Sequence, residues 1–153
     1  MERSDEIKKE LFDHCLDLVE QRISNASQAM QAAQESANME EKSSAGDKYE
    51  TGRAMAQLER DKAAQQLNEA MMLKSTLSSI KLKSSTSQVT VGSLVTTDLN
   101  HFFIAISLGK LSAANRDFFV IAPSTPIGRL LMGLHVGNQF IFNNQVHTIR
   151  EIL

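Results

Sequence analysis

Between Ser4 and Ala37 the chain has no glycine and no proline, and Phe12, Leu16, Val19, Ile23, Ala26, Met30, Ala33 and Ala37 recur at alternating spacings of four and three. An unbroken stripe of this kind belongs to a helix that buries one narrow seam against another helix. Ser4-Asp5 supplies an N-terminal cap, so one helix of roughly 30 residues, about 45 Å long, is expected. Its seam shrinks along the way, from Phe, Leu, Val and Ile to Ala, Met, Ala and Ala. Small residues permit close approach but bury less apolar area, so the far end should be slimmer and less stable. A probe for a narrow opening has that profile, and so does an ordinary hairpin tip that frays.

Ser43-Ser44-Ala45-Gly46 interrupts the pattern and reads as a turn. A second helix is expected from about Asp47 to Ile80, with apolar positions at Met55, Leu58, Ala63, Leu67, Ala70, Met71, Leu73, Leu77 and Ile80. Gly52 costs it roughly 1 kcal/mol relative to alanine. Two helices of similar length around a short turn suggest an antiparallel hairpin, with the turn centred near Lys42 and Phe12 opposite Met72. An intermolecular coiled coil is the alternative, and the short turn favours the intrachain arrangement. Met71-Met72 is expected in the hairpin core.

Charge and aromatics divide the chain. Residues 1–83 carry 12 Lys/Arg and 15 Asp/Glu, whereas residues 84–153 carry 4 and 3. Six of the seven phenylalanines and both prolines lie in the second part, so the two parts are different kinds of structure. The expected fold class is α+β: a helical hairpin over 1–83, with its tip at about 38–50, and a small strand-rich domain over 84–153. Lys81 to Ser87 is the polar linker. Val89, Val91, Leu94 and Val95, with Thr90, Thr96 and Thr97, read as a first strand. Phe102–Leu108 and Asp117–Ala122 read as the second and third. Thr125-Pro126 opens a short helix over Ile127–Met132 that Gly133 ends. Gln139–Phe142, Asn143-Asn144 and Gln145–Ile152 read as a closing hairpin.

The net charge of −2 does not point to free nucleic acid or a membrane surface. No apolar run approaches the ~18 residues of a membrane span, and Met1 to Asp5 lacks a signal-peptide core. With Cys15 as the only cysteine there is no intrachain disulfide, and a cytoplasmic location is the default expectation.

The richest place for chemistry is Gly46-Asp47-Lys48-Tyr49-Glu50. Asp47 and Glu50, three apart at a helix start, share one face. Two exposed carboxylates suit a hard cation such as Mg²⁺, which keeps several waters and takes its other oxygens from a partner. Asp-x-x-Glu is also close to a capping box, and acids in a first turn favour the helix dipole. One residue pair can serve both ends. Glu40 and Glu41 add negative charge nearby. Arg53, Arg60 and Lys62 read as exposed helix charge, with a nucleic-acid backbone inside a complex as the functional alternative. His14, His101, His135 and His147 show no metal-ligand spacing and read as surface or satisfied core histidines, and Cys15 reads as an inert thiol. The phenylalanines of 84–153 read as core, although so few charges would also allow an exposed apolar patch for a partner.

Two motifs, in order, resemble the Gre-type bacterial transcription elongation factors, the transcript cleavage factors. One is the Gly-Asp-x-x-Glu of the tip, Gly46-Asp47-Lys48-Tyr49-Glu50. The other is Thr125-Pro126-Ile127-Gly128-Arg129-Leu130-Leu131-Met132-Gly133 followed by Gly137-Asn138, where the family has Asp in place of Asn138. The resemblance covers nearly the whole chain. It implies an FKBP-like C-terminal domain that binds RNA polymerase beside its secondary channel, with Pro126, Gly128 and Arg129 in the contact. It implies a monomer whose hairpin enters that channel. Asp47 and Glu50 would then help hold a second Mg²⁺ in the polymerase active site for cleavage of backtracked RNA. The chain would have no enzymatic activity alone. Lys48 and Tyr49 depart from the usual residues between the tip acids, as does 37–45 before them. A channel-binding regulator without cleavage, or a coiled-coil oligomerisation adaptor, are the other readings.

Overall fold

The computed structural model describes residues 2–42, 46–82 and 87–153, and within these the side chains of 3–39, 50–82 and 87–153. The element order is α1 (Glu2–Lys42), α2 (Gly46–Ser79), β1 (Leu94–Thr97), β2 (His101–Ile104), β3 (Gly109–Ala113), β4 (Arg116–Ile121), α3 (Pro126–Leu131), β5 (Gln139–Phe142) and β6 (Gln145–Ile152). The chain is α+β, with two compact units: Asp17–Ser75, and Met1–Leu16 together with Thr76–Leu153. The expected turn residues Ser43, Ser44 and Ala45 lie outside the described residues.

The unit Asp17–Ser75 is a helical hairpin. Val19, Ala26, Ala33 and Ala37 of α1 and Ala56, Ala63 and Ala70 of α2 are buried, and the series 19-26-33 and 56-63-70 both run at heptad spacing. This is the seam of a coiled coil, with alanine allowing close approach of the helices. The polar pairs Lys74–Glu20, 3.4 Å, and Arg60–Gln34, 2.9 Å, are both symmetric about position 47. The helices are therefore antiparallel, in a register centred at 47 and not near Lys42. The α2 seam also corrects the expected one. Met55, Leu58, Met71 and Met72 are 55–69% exposed. They are larger and more apolar than alanine, but they do not share the heptad phase that joins Ala56, Ala63 and Ala70, so they fall outside it.

The other unit contains a six-stranded mixed sheet of order β3-β4-β2-β1-β6-β5. All neighbours are antiparallel except β2 and β4, which run parallel with Phe102 beside Phe119 and Phe103 beside Val120. Side chains alternate between faces. On one face Val95, Phe102, Ile104, Phe140, Ile149 and Ile152 join Leu131 of α3 in the main apolar cluster. On the opposite face Leu94, Phe103, Phe118 and Val120 are equally buried. Covering on both faces explains why β2 reads as a continuous apolar run and not as an alternation.

Three strand expectations change, the second strand being His101–Ile104 and not Phe102–Leu108. The first strand begins at Leu94 and not Val89, because Thr90–Ser93 forms a turn in which Ser93 N–H donates to Thr90 O at 3.1 Å and Gly92 takes φ +94°. The sheet also has β3, absent from the sequence reading. Ala114-Asn115 makes a two-residue turn with both φ positive, 50° and 61°, which lets β3 pair with β4 from Gly109↔Val120 to Ala113↔Arg116. The closing hairpin follows expectation, with Asn143 and Asn144 at φ 53° and 61°, values that match a type I′ turn.

Candidate functional site

The first candidate lies where α1 ends and α2 begins. Asp47 and Glu50 both hold helical positions of α2, three residues apart and hence on neighbouring parts of one face. Glu50 is exposed. The side chain of Asp47 lies outside the described residues, as do those of Glu40, Glu41, Lys48 and Tyr49. The donor type fits Mg²⁺, since carboxylate oxygens are its ordinary ligands. Among the described residues no group of three His, Cys, Asp or Glu gathers to hold a metal. Farther along α2, Arg60 is partly buried, and its guanidinium donates to Gln34 Oε1 and meets Asp61 at 3.7 Å, so it ties the two helices together. Lys62 is exposed.

The second candidate is built around α3. Thr125 is its N-cap: Oγ1 accepts from Gly128 N–H at 3.1 Å and donates to Ala122 O at 2.7 Å. Pro126 occupies the first turn, where its missing N–H is no loss. Pro126 and Arg129 are exposed and Leu130 is 41% exposed. Gly128 is buried. A Cβ there would stand 2.9 Å from both Pro123 Cα and Thr125 Oγ1 and closer still to Ala122 O. Of the three residues expected to meet a partner, Gly128 is therefore a packing position, and Pro126 and Arg129 are the ones open to contact. Asn138 does the work an aspartate would do in its place: its Oδ1 accepts from His135 N–H at 2.8 Å, a role that needs only an acceptor.

Beside α3 is a cavity of about 230 Å³ walled by Phe102, Phe119, Ile121, Ile127 and Phe142, with His147 on its lining. His147 is 2% exposed and stacks on Phe140 at 4.8 Å between ring centroids. Its Nδ1 is buried with no hydrogen-bond partner among the described residues. The sequence reading placed these phenylalanines in the core and took His147 as a surface or satisfied core histidine; it is buried, and its Nδ1 is not satisfied among the described residues. The only signal that could have found the site is the proximity in sequence of Phe142 and His147 on one hairpin. Two of the other histidines are engaged separately: His101 Nδ1 lies 3.0 Å from Thr96 Oγ1, and His135 Nδ1 lies 2.8 Å from Ser87 O.

Cys15 is fully buried, and burial pushes its thiol up to about 11. The neutral thiol is thus favoured by the fold. That contribution is intact below the thiol's unfolded value and is lost as the pH rises through the folded one. Since the thiolate is the nucleophile, labelling by iodoacetamide at pH 8 should be roughly 100-fold slower in the native protein than in denaturant. Equal rates would show an accessible, reactive cysteine.

Comparison with family models and with curated proteins finds no match to this sequence. Among the described residues no helix is long and apolar enough to cross a membrane.

Proposed function

We propose that this chain is a Gre-type transcription factor that binds RNA polymerase, inserts its hairpin into the secondary channel and promotes cleavage of backtracked RNA. The observation that carries this reading is the hairpin unit itself. Its alanine seam draws two helices close together, and the start of α2 carries the exposed Glu50 three residues after Asp47. Such an end can offer carboxylate oxygens to an ion held elsewhere. The sheet unit, read as FKBP-like, supplies the second contact through Pro126 and Arg129, both exposed on α3.

The chemistry assigned to this chain is limited. Asp47 and Glu50 supply ligands, and the polymerase supplies the remaining ligands, the RNA and the first metal. A second Mg²⁺ in that site would activate water and stabilise the leaving oxygen. The chain acts as a monomer and has no hydrolytic activity of its own.

The test is an RNA-shortening assay on backtracked polymerase complexes. Addition of the wild-type chain should shorten the RNA from its 3′ end. Asp47→Ala/Glu50→Ala should return shortening to the polymerase's own rate while circular dichroism and polymerase co-migration stay unchanged. Undiminished shortening by the double variant would remove the carboxylates from the mechanism. Polymerase binding with altered transcription and no shortening by the wild type would identify a channel regulator. A concentration-dependent dimer that does not bind polymerase would identify an adaptor.

A further inference from the structure

The sheet ends in two outer strands, β3 and β5. The β3 edge carries charge: Lys110 meets Asp117 of β4 at 3.3 Å, and a charged edge strand resists pairing with another chain. The β5 edge differs. Gln139, Phe140, Ile141 and Phe142 include no charge and no proline, and the whole hairpin from Gln139 to Thr148 has no Asp, Glu, Lys or Arg.

Alternation in an antiparallel ladder fixes where the β5 backbone points. Phe142 and Gln145 flank the two-residue turn and so form a hydrogen-bonded pair, and Asn138 O accepts from Ile149 N–H at 2.9 Å. Asn138, Phe140 and Phe142 therefore turn their carbonyls toward β6. Gln139 and Ile141 turn their N–H and C=O groups to the open edge, where no other backbone group among the described residues bonds them. Their side chains share one face. Ile141 is 66% exposed and lies across from Val146, 52% exposed. Gln139 lies across from Thr148 and donates to its Oγ1 at 3.2 Å. One cross-strand row is thus apolar and the next is polar.

The outward backbone of two residues and one apolar pair make too small a contact to hold two folded copies, since stable interfaces bury about 1,200–2,000 Å². An extended peptide suits such an edge, because its own backbone supplies the matching donors and acceptors. We propose that β5 is a docking edge for an extended, uncharged segment of another protein, which adds to the sheet as an antiparallel strand. Its residue opposite Ile141 is apolar and continues the Ile141–Val146 row. Its residue two positions later stands opposite Gln139 and carries a hydrogen-bonding side chain such as threonine.

The experiment titrates the ¹⁵N-labelled full chain with the capped peptide acetyl-Ser-Thr-Val-Gln-Thr-Ser-amide, whose valine and second threonine fill those two places. Saturable shifts and slowed hydrogen exchange are expected at the Gln139 and Ile141 amides. Methylating the valine nitrogen removes one bond to Ile141 O and should weaken binding roughly fivefold or more. Ile141→Ala leaves the outward backbone in place and should weaken it about threefold, the effect of one cross-strand pair. Shifts that never saturate, or equal binding of the methylated peptide, would overturn the proposal. So would binding that Ile141→Ala leaves unchanged. Shifts at the same amides that follow protein concentration without peptide would make a second copy the occupant and also overturn it.

Discussion

Replacing Phe103 with alanine will cost the sheet unit about 3–5 kcal/mol, the usual range for removing a buried aromatic ring. Phe103 is fully buried in the middle strand pairing, opposite Leu94 on β1 and beside Val120 on β4. Both neighbours are themselves buried, so no side chain from solvent can swing in to fill the space. Whole domains are stable by only about 5–15 kcal/mol, so this change removes a large share of the total. Amide hydrogen exchange in β1, β2 and β4 measures it directly in this unit. The control is Ile141→Ala on the edge strand, where the side chain is 66% exposed and the cost should stay within about 0.5 kcal/mol. Should the two variants lose the same stability, the central strands would not be the core of this unit.

The second large effect is Gly128→Ala. Helix propensity alone predicts a gain of roughly 1 kcal/mol, since α3 would exchange glycine for the best helix former. Packing predicts the opposite. The added methyl would collide with the backbone at Ala122 and Pro123, and backbone cannot rotate out of the way as a side chain can. Over-packing of this kind costs about 1–3 kcal/mol and occasionally more. Here it should prevail, because the closest contact is with a carbonyl that forms part of the Thr125 cap. A net loss of roughly 2 kcal/mol lowers the melting temperature by about 4–8 °C in a chain of this size. A calorimetric scan of the two proteins decides the sign, and an unchanged or raised midpoint would show that α3 can shift away. The cavity beside Ile127 gives a second readout, because a displaced α3 must also alter the environment of His147.

Legibility in the sequence followed the strength of the local signal. The short helix α3 was readable to within a residue because Thr125, Pro126 and Gly133 each act through their own backbone chemistry. The closing hairpin was readable because Asn143-Asn144 tolerates positive φ at both positions. The preceding hairpin was missed because Ala114-Asn115 carries half of that signal and β3, at the sheet edge, is mostly exposed and has no apolar run. The α1 seam was readable in part: Val19, Ala26, Ala33 and Ala37 are buried as its regular spacing predicts, whereas Phe12, Leu16, Ile23 and Met30 are only half-buried and the buried Leu11 and Cys15 lie outside the expected stripe. In α2 the large residues Met55, Leu58, Met71 and Met72 drew attention to a phase that the hairpin does not use.

Residue order alone determined the two helices, the change of period near the linker and the acids at the start of α2, since each depends on neighbours within about one turn or one strand. Folding decided what depends on distant residues meeting: the alanine seam's register about position 47, the pairing of β2 with β4, and the burial of Lys8 and His147. Those outcomes come from close packing between segments far apart in the chain, and a pattern confined to one segment does not encode its partner's surface.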